Sequence, residues 1–172
     1  VIDCTGDADV AFMAGAQFRK GREKDGRMRP MTMIFRVGNV DFAPLRKYIA
    51  EHPDQFSPEP SMCVADPETD VLRVFGFYDL VAEGKARGIL NQDTHYLRLE
   101  GGSVRNGIAA INTTRIYDVD GTNPFDLTRA DLEGRQQVKQ VCTFLRELVP
   151  GFQRSVLLDT SSLLGIRETR HV

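Results

Sequence analysis

Residues 96–117 read Y-L-R-L-E-G-G-S-V-R-N-G-I-A-A-I-N-T-T-R-I-Y, and this stretch decides the fold. Residues 96–100 and 104–117 are β-rich runs on either side of Gly101-Gly102, and a glycine pair between such runs favours a hairpin with antiparallel pairing. Upstream, Met31, Met33, Phe35 and Val37 alternate with Thr32, Ile34 and Arg36, the pattern of a strand with one well-buried face. Shorter strands are predicted at 71–75 and 156–158. One more, at 62–64, falls in a surface excursion whose prolines, Pro53, Pro58, Pro60 and Pro67, exclude a central strand. Downstream, Val138, Val141, Cys142, Leu145, Leu148 and Val149 recur at helical spacing. They predict a helix over 127–149, capped by Thr128 and stopped by Pro150-Gly151. Further helices are predicted at 41–51, with Asp41 as cap, and at 77–87. Antiparallel strands with helices between and after them make an α+β fold: a mixed, largely antiparallel sheet packed with helices in a single domain.

The chain opens on V-I-D-C-T-G-D-A-D-V-A-F-M-A-G-A, residues 1–16. Residues 1–4 read as the end of a buried strand, Gly6 as the pivot of a sharp turn, and Asp7 as the N-cap of a short helix over 8–16. A strand, a glycine turn and a helix start can present backbone N–H groups to a phosphate or sugar edge.

At 172 residues, 41% hydrophobic and 27% charged, the chain has an ordinary globular composition. A chain of this size buries roughly 70% of its unfolded surface. With 22 basic and 24 acidic residues the net charge is −2, so no strong field points to nucleic acid or an anionic membrane. Arg19, Lys20, Arg22, Lys24, Arg27 and Arg29 make a local basic loop, but Glu23 and Asp25 interrupt it. Cys4, Cys63 and Cys142 are widely spaced and odd in number, which argues for a reducing, cytoplasmic setting without disulfides. No metal-ligand spacing joins them to His52, His95 or His171, and no apolar run approaches a membrane span. No G-x-G-x-x-G follows a strand, so the pyrophosphate-binding half of a dinucleotide fold is expected to lie in a longer parent protein.

Three motifs carry candidate chemistry. Thr5-Gly6-Asp7 can offer a hydroxyl and a carboxylate to ribityl or ribose hydroxyls. Asn112-Thr113-Thr114-Arg115 follows the apolar run 108–111, as a strand leaving the core to reach a cleft would. There, Asn112 and Thr114 would point one way and Thr113 and Arg115 the other. Gly165-Ile166-Arg167-Glu168-Thr169-Arg170 is a surface salt-bridge set on its own terms.

Together these motifs resemble the FAD-dependent oxidoreductases of the glutathione-reductase-like superfamily. The opening resembles that family's "(A)TGD" stretch, with Cys4 in place of the usual alanine. Arg29-Pro30-Met31-Thr32 is similar to its "QP-M-T" strand entry, with Arg for Gln. Asn112–Arg115, Asp120-Gly121-Thr122-Asn123 and 165–170 are similar to its "N-x-T-R", "D-G-T" and "G-x-R-E-T-R" segments.

The resemblance implies that residues 1–16 end the FAD-binding half and that 17–172 form the substrate-binding or cap domain. It also implies FAD contacts at Thr5, Gly6 and Asp7. Asn112 and Arg115 would lie at the substrate cleft, with Arg167 first and Arg170 second as the arginine that binds a carboxylate beside the flavin. The partners would be a small organic substrate and the remaining FAD-binding domain of the same chain, with a homo-oligomer compatible and the segment alone inactive. A non-catalytic ligand-binding or subunit-assembly domain is the alternative.

Overall fold

Alternation of apolar and polar residues builds the sheet face by face. In the computed structural model, which describes residues 1–57, 63–65 and 72–172, Met33, Phe35 and Val37 are buried while Ile34 and Arg36 face outward. The strands are β1 (Phe35–Gly38), β2 (Cys63–Ala65), β3 (Leu72–Gly76), β4 (Leu97–Ser103), β5 (Ile108–Ile111) and β6 (Val156–Thr160). They form one six-stranded sheet in the order β2-β3-β4-β5-β1-β6, with every neighbouring pair antiparallel.

The inner face carries Phe35, Val37, Leu72, Val74, Leu97, Leu99, Ala109 and Ile111. Against it pack α2 (Phe42–Glu51), α3 (Tyr78–Ala86) and α4 (Pro124–Leu148), through Leu45, Val81, Val138, Val141, Phe144 and Leu145. Each fully buried side chain of this kind stabilises the fold by roughly 1.5–3 kcal/mol. Gly134 lets α4 approach closely, since a Cβ there would sit 3.3 Å from Met33. The arrangement is a single α+β domain, as the patterning predicts. No helix among the described residues is long and apolar enough to cross a membrane.

The hairpin is real but its turn is displaced. Gly101 and Gly102 lie inside β4, at the irregularity between Leu99 and Gly102, and the chain reverses over 104–107. Gly102 has φ +128°, and a Cβ there would lie 2.2 Å from the Ile108 carbonyl oxygen, so the glycine permits close strand approach rather than the turn. The long second run also ends early: residues 112–115 follow β5 without joining its ladder.

Three more boundaries differ. The strand over 31–37 is regular only from Phe35, because Met31 and Thr32 bridge Ile116 and Gly165 singly. Residues 1–4 form no strand, and Val1 and Ile2 are exposed. Helix α4 starts at Pro124: the Asn123 side chain accepts from the Phe125 N–H at 3.0 Å, whereas the Thr128 hydroxyl bonds back to the Pro124 carbonyl. Proline at the first helical position and asparagine before it are the stronger start signal. Asp41 does cap α2, accepting from the Ala43 N–H. The predicted strand at 62–64 appears as β2, while Pro58, Pro60 and Pro67 lie outside the described residues.

The cap assignment predicts that Asn123→Ala lowers stability by about 1 kcal/mol and Thr128→Ala by under about 0.5 kcal/mol. Denaturant unfolding of both variants checks it.

Candidate functional site

The N-terminal segment is organised by Asp3. Its carboxylate accepts from the Thr5 hydroxyl at 2.6 Å, the Thr5 N–H at 2.9 Å and the Ala11 N–H at 2.8 Å. Thr5 Oγ1 in turn accepts from the Asp9 N–H at 2.8 Å. Asp3 and Thr5 thus satisfy the start of α1 (Asp9–Met13), a task the sequence pattern gives to Asp7. The N-cap position is Ala8, in the left-handed region without a side-chain cap. Asp7 is left with a carboxylate that has no hydrogen-bond partner among the described residues. The Thr5 hydroxyl, followed by the Ala11 and Thr5 N–H groups, holds the Asp3 carboxyl below its ordinary 3.8.

The other end of the chain docks onto this segment. Gly165 exchanges hydrogen bonds with Thr32, and His171 with Arg19, so 165–171 lies along the 19–32 stretch. At Gly165 a Cβ would come within 2.5 Å of Thr32 Oγ1. Gly121 of the D-G-T turn packs beneath the same segment, its would-be Cβ 2.8 Å from Ile166.

Arg170 closes the arrangement. Its Nη1 donates to the Asp7 carbonyl at 2.8 Å and to Asp9 Oδ1 at 2.5 Å. Its guanidinium carbon lies 4.5 Å from the centroid of Phe12 and 5.9 Å from that of Phe18. Only 9% of the side chain is exposed. Arg170 is therefore spent on holding Thr5-Gly6-Asp7 in place, while Arg167 is exposed and makes no ion pair among the described residues. Gly6, Asp7, Ile166, Arg167, Glu168 and Arg170 line one cleft of about 420 Å³. Glu168 in this cleft accepts from the Arg29 N–H at 3.0 Å and meets His171 at 3.1 Å. The Arg29 contact first, and then His171, keep its carboxyl below the ordinary range despite some burial.

Asn112–Arg115 lies elsewhere, against β4 and α4. The Asn112 N–H donates to the Arg98 carbonyl at 3.0 Å, and Thr113 Oγ1 accepts from the Arg98 N–H at 2.9 Å. Thr114 Oγ1 accepts from the Met33 N–H at 2.7 Å and donates to its carbonyl at 3.1 Å. Both threonines are buried and stitch this segment to its two neighbours. Buried Gln137 of α4 pairs with both backbone groups of Arg115, at 2.7 Å each. The Arg115 guanidinium is then free to lie over Tyr96, 5.2 Å from the ring centroid.

Sequence reasoning misses Arg98, Tyr96 and Gln137. Arg98 and Tyr96 carry no motif, and a glutamine on the apolar stripe of α4 is the one legible signal for Gln137. In the basic loop, Arg19 pairs with Glu23, Lys20 with Asp120, Arg22 with Asp25 and Arg27 with Asp118. These pairs compensate most of its charge internally.

The two ends of the chain therefore meet at one polar cleft beside an antiparallel sheet. The family model described as FAD dependent oxidoreductase matches residues 1–172, and the chain belongs to that family. No curated protein and no solved structure matches it.

Two expectations test this geometry. Because the folded-state pKa of Asp3 is depressed, its anchoring holds above the ordinary value and is lost as pH falls through the lowered one. The Thr5 and Ala11 amide resonances should titrate together with a midpoint below 3.8, and Asp3→Asn should abolish that transition. Arg170→Ala should speed amide exchange across residues 3–13 about tenfold or more, since charge-assisted hydrogen bonds contribute roughly 1.5–3 kcal/mol. Exchange in β3–β5 should not change.

Proposed function

We propose that this chain is the substrate-binding part of a FAD-dependent oxidoreductase that moves hydride or electrons between FAD and a small organic substrate. Residues 1–16 would end the FAD-binding half and 17–172 form the cap over it. The observation that carries the reading is the Arg170 clamp: it brings Gly6 and Asp7 onto one cleft with Arg167 although they lie at opposite ends of the sequence.

The residues present fit the edge of a flavin nucleotide. The Asp7 carboxylate can accept from sugar or ribityl hydroxyls. Gly6 leaves its side of the turn open, since a Cβ there would meet nothing within 4 Å. When bound, FAD supplies the redox chemistry. Arg167 offers a planar, permanently charged fork to a carboxylate or to negative charge developing in the reaction. Arg170 acts as a positioning residue, and Asn112 fixes the backbone of Arg98 beside Arg115.

The cleft borders only part of such a cofactor, so the chain alone is proposed to be inactive. Its first partner is the FAD-binding domain of the parent chain. Exposed Val10, Phe12 and Met13 offer apolar surface for that contact. A cytoplasmic location and self-association compatible with function belong to the same reading.

In the parent protein, purified with its natural flanking sequence, a bound yellow cofactor at one per chain is expected. Arg167→Ala should lower turnover by about 10²-fold or more with flavin retained. Unchanged turnover removes Arg167 from the site, and a colourless parent removes the reading.

A further inference from the structure

One edge of the sheet is left open. Among the described residues no strand lies beyond β6, so one side of its backbone has no ladder partner. Val156, Leu157 and Leu158 follow one another in this strand and are 51, 45 and 48% exposed, so alternation hides none of them. The strand holds no proline or lysine, the residues that commonly blunt an open edge. Its one charge, Asp159, is already paired with Arg36 of β1. The ladder to β1 is interrupted once: Asp159 pairs with Arg36 and Leu157 with Val37, which leaves Leu158 as a bulge. A short, bulged strand is too little to hold a partner alone.

A second apolar surface adjoins this edge. Arg135 of α4 donates to Thr160 Oγ1 at 3.1 Å, which seats the first half of the helix beside β6. Leu132 lies one turn before Arg135, and Phe125 two turns before Leu132, so both share a shoulder of α4 turned away from the buried Ala130, Gly134 and Val138. Leu132 and Phe125 are 61 and 84% exposed. They line a groove of about 810 Å³ whose walls include the polar side chains of Arg129, Glu133 and Gln136. Leu163, just past the strand, is exposed as well.

We propose that two copies of this chain pair edge to edge, β6 against β6 in antiparallel sense about a two-fold axis. The two six-stranded sheets then form one continuous sheet. An axis normal to the sheet keeps both helix layers on one face, so the two α4 grooves meet along the seam. Charge placement selects this occupant and this sense. Exposed Arg154 stands just before β6 and makes no ion pair among the described residues, while Asp159 lies near the other end of the strand. Antiparallel self-pairing brings Arg154 of each copy to the Asp159 end of the other, whereas parallel pairing would set like charges opposite. The six exposed apolar side chains offer on the order of several hundred Å². With the strand backbone added, this approaches the ~800 Å² per partner of a standard interface. The pairing does not rest on the flavin reading: Val10, Phe12 and Met13, the surface given to the parent chain, are carried by α1.

The test is sedimentation of the 172-residue chain at roughly 1 to 200 µM, with hydrogen exchange at both ends of that range. Expected are a mass that rises to twice that of the chain and stops there, and slower exchange at 156–160 as the dimer fills. Leu158→Lys and Leu132→Lys should each weaken the dimer about tenfold or more. Leu132 is outside the core, so its variant tests the interface even where Leu158→Lys disturbs the sheet. Arg154→Asp should weaken it about threefold or more, and Met13→Lys on α1 less than about twofold. A monomer throughout, growth beyond the dimer, an unaffected Arg154→Asp, or loss through Met13→Lys but not Leu132→Lys overturns the proposal. A monomeric parent in which 156–160 is protected overturns it too, since the edge is then covered by the parent's own chain. A yellow, monomeric parent sinks this inference alone, and a colourless dimer that needs Leu132 upholds it while sinking only the proposed function.

Discussion

The guanidinium of Arg170 is the contact through which the candidate site exists. A cation with 9% of its side chain exposed must have acceptors, and it finds them in the Asp7 carbonyl and the Asp9 carboxylate. Phe12 and Phe18 lie beside it, 4.5 and 5.9 Å from the guanidinium carbon to the ring centroids, so the attraction works at reduced dielectric. Helix α1 has no buried residue of its own. Without that anchor the segment would depend on its local Asp3 and Thr5 bonds and on exposed apolar side chains.

The sheet divides the molecule's two tasks between its faces. Its inner face and the helices make one apolar core, which fixes the strands against each other. The outer face carries ion pairs, Arg36 with Asp159 and Arg98 and Arg73 with Glu100. Gly102 and Gly134 serve the core, one by letting β4 and β5 approach at an irregularity and the other by seating α4 on the strands. Gln137 then reaches from the helix to the Arg115 backbone, so the core side of the molecule sets the position of a residue on the outer side.

Alternation and periodicity left little doubt about α+β architecture, because burial of one face imposes period two on strands and 3.6 on helices. The displaced hairpin turn and the earlier start of α4 have a common cause: a glycine pair and a threonine each have two uses, and their neighbours decide which applies. Gly101-Gly102 serves close approach because Asn106-Gly107 supplies the turn, and Thr128 is redundant once Asn123-Pro124 has begun the helix. For the motifs, the order was readable but the allocation of work was not. Asp7 looks like a cap and is free, while Asp3 looks like part of a strand and does the capping. Arg167 and Arg170 look interchangeable, yet one is buried in a clamp and the other exposed.

By itself the sequence determined most of the core, the succession of helices and strands after residue 8, and the motifs that tie the chain to its family, since these follow from local patterns of polarity. Only the tertiary structure decided that β1 sits between β5 and β6, that the first ten residues meet the last ten, and that Arg98 and Arg115 lie over the neighbouring rings of Phe75 and Tyr96. Those are pairings between distant segments. Their energy comes from surfaces that exist only after the core has formed, and no local pattern along the chain records them.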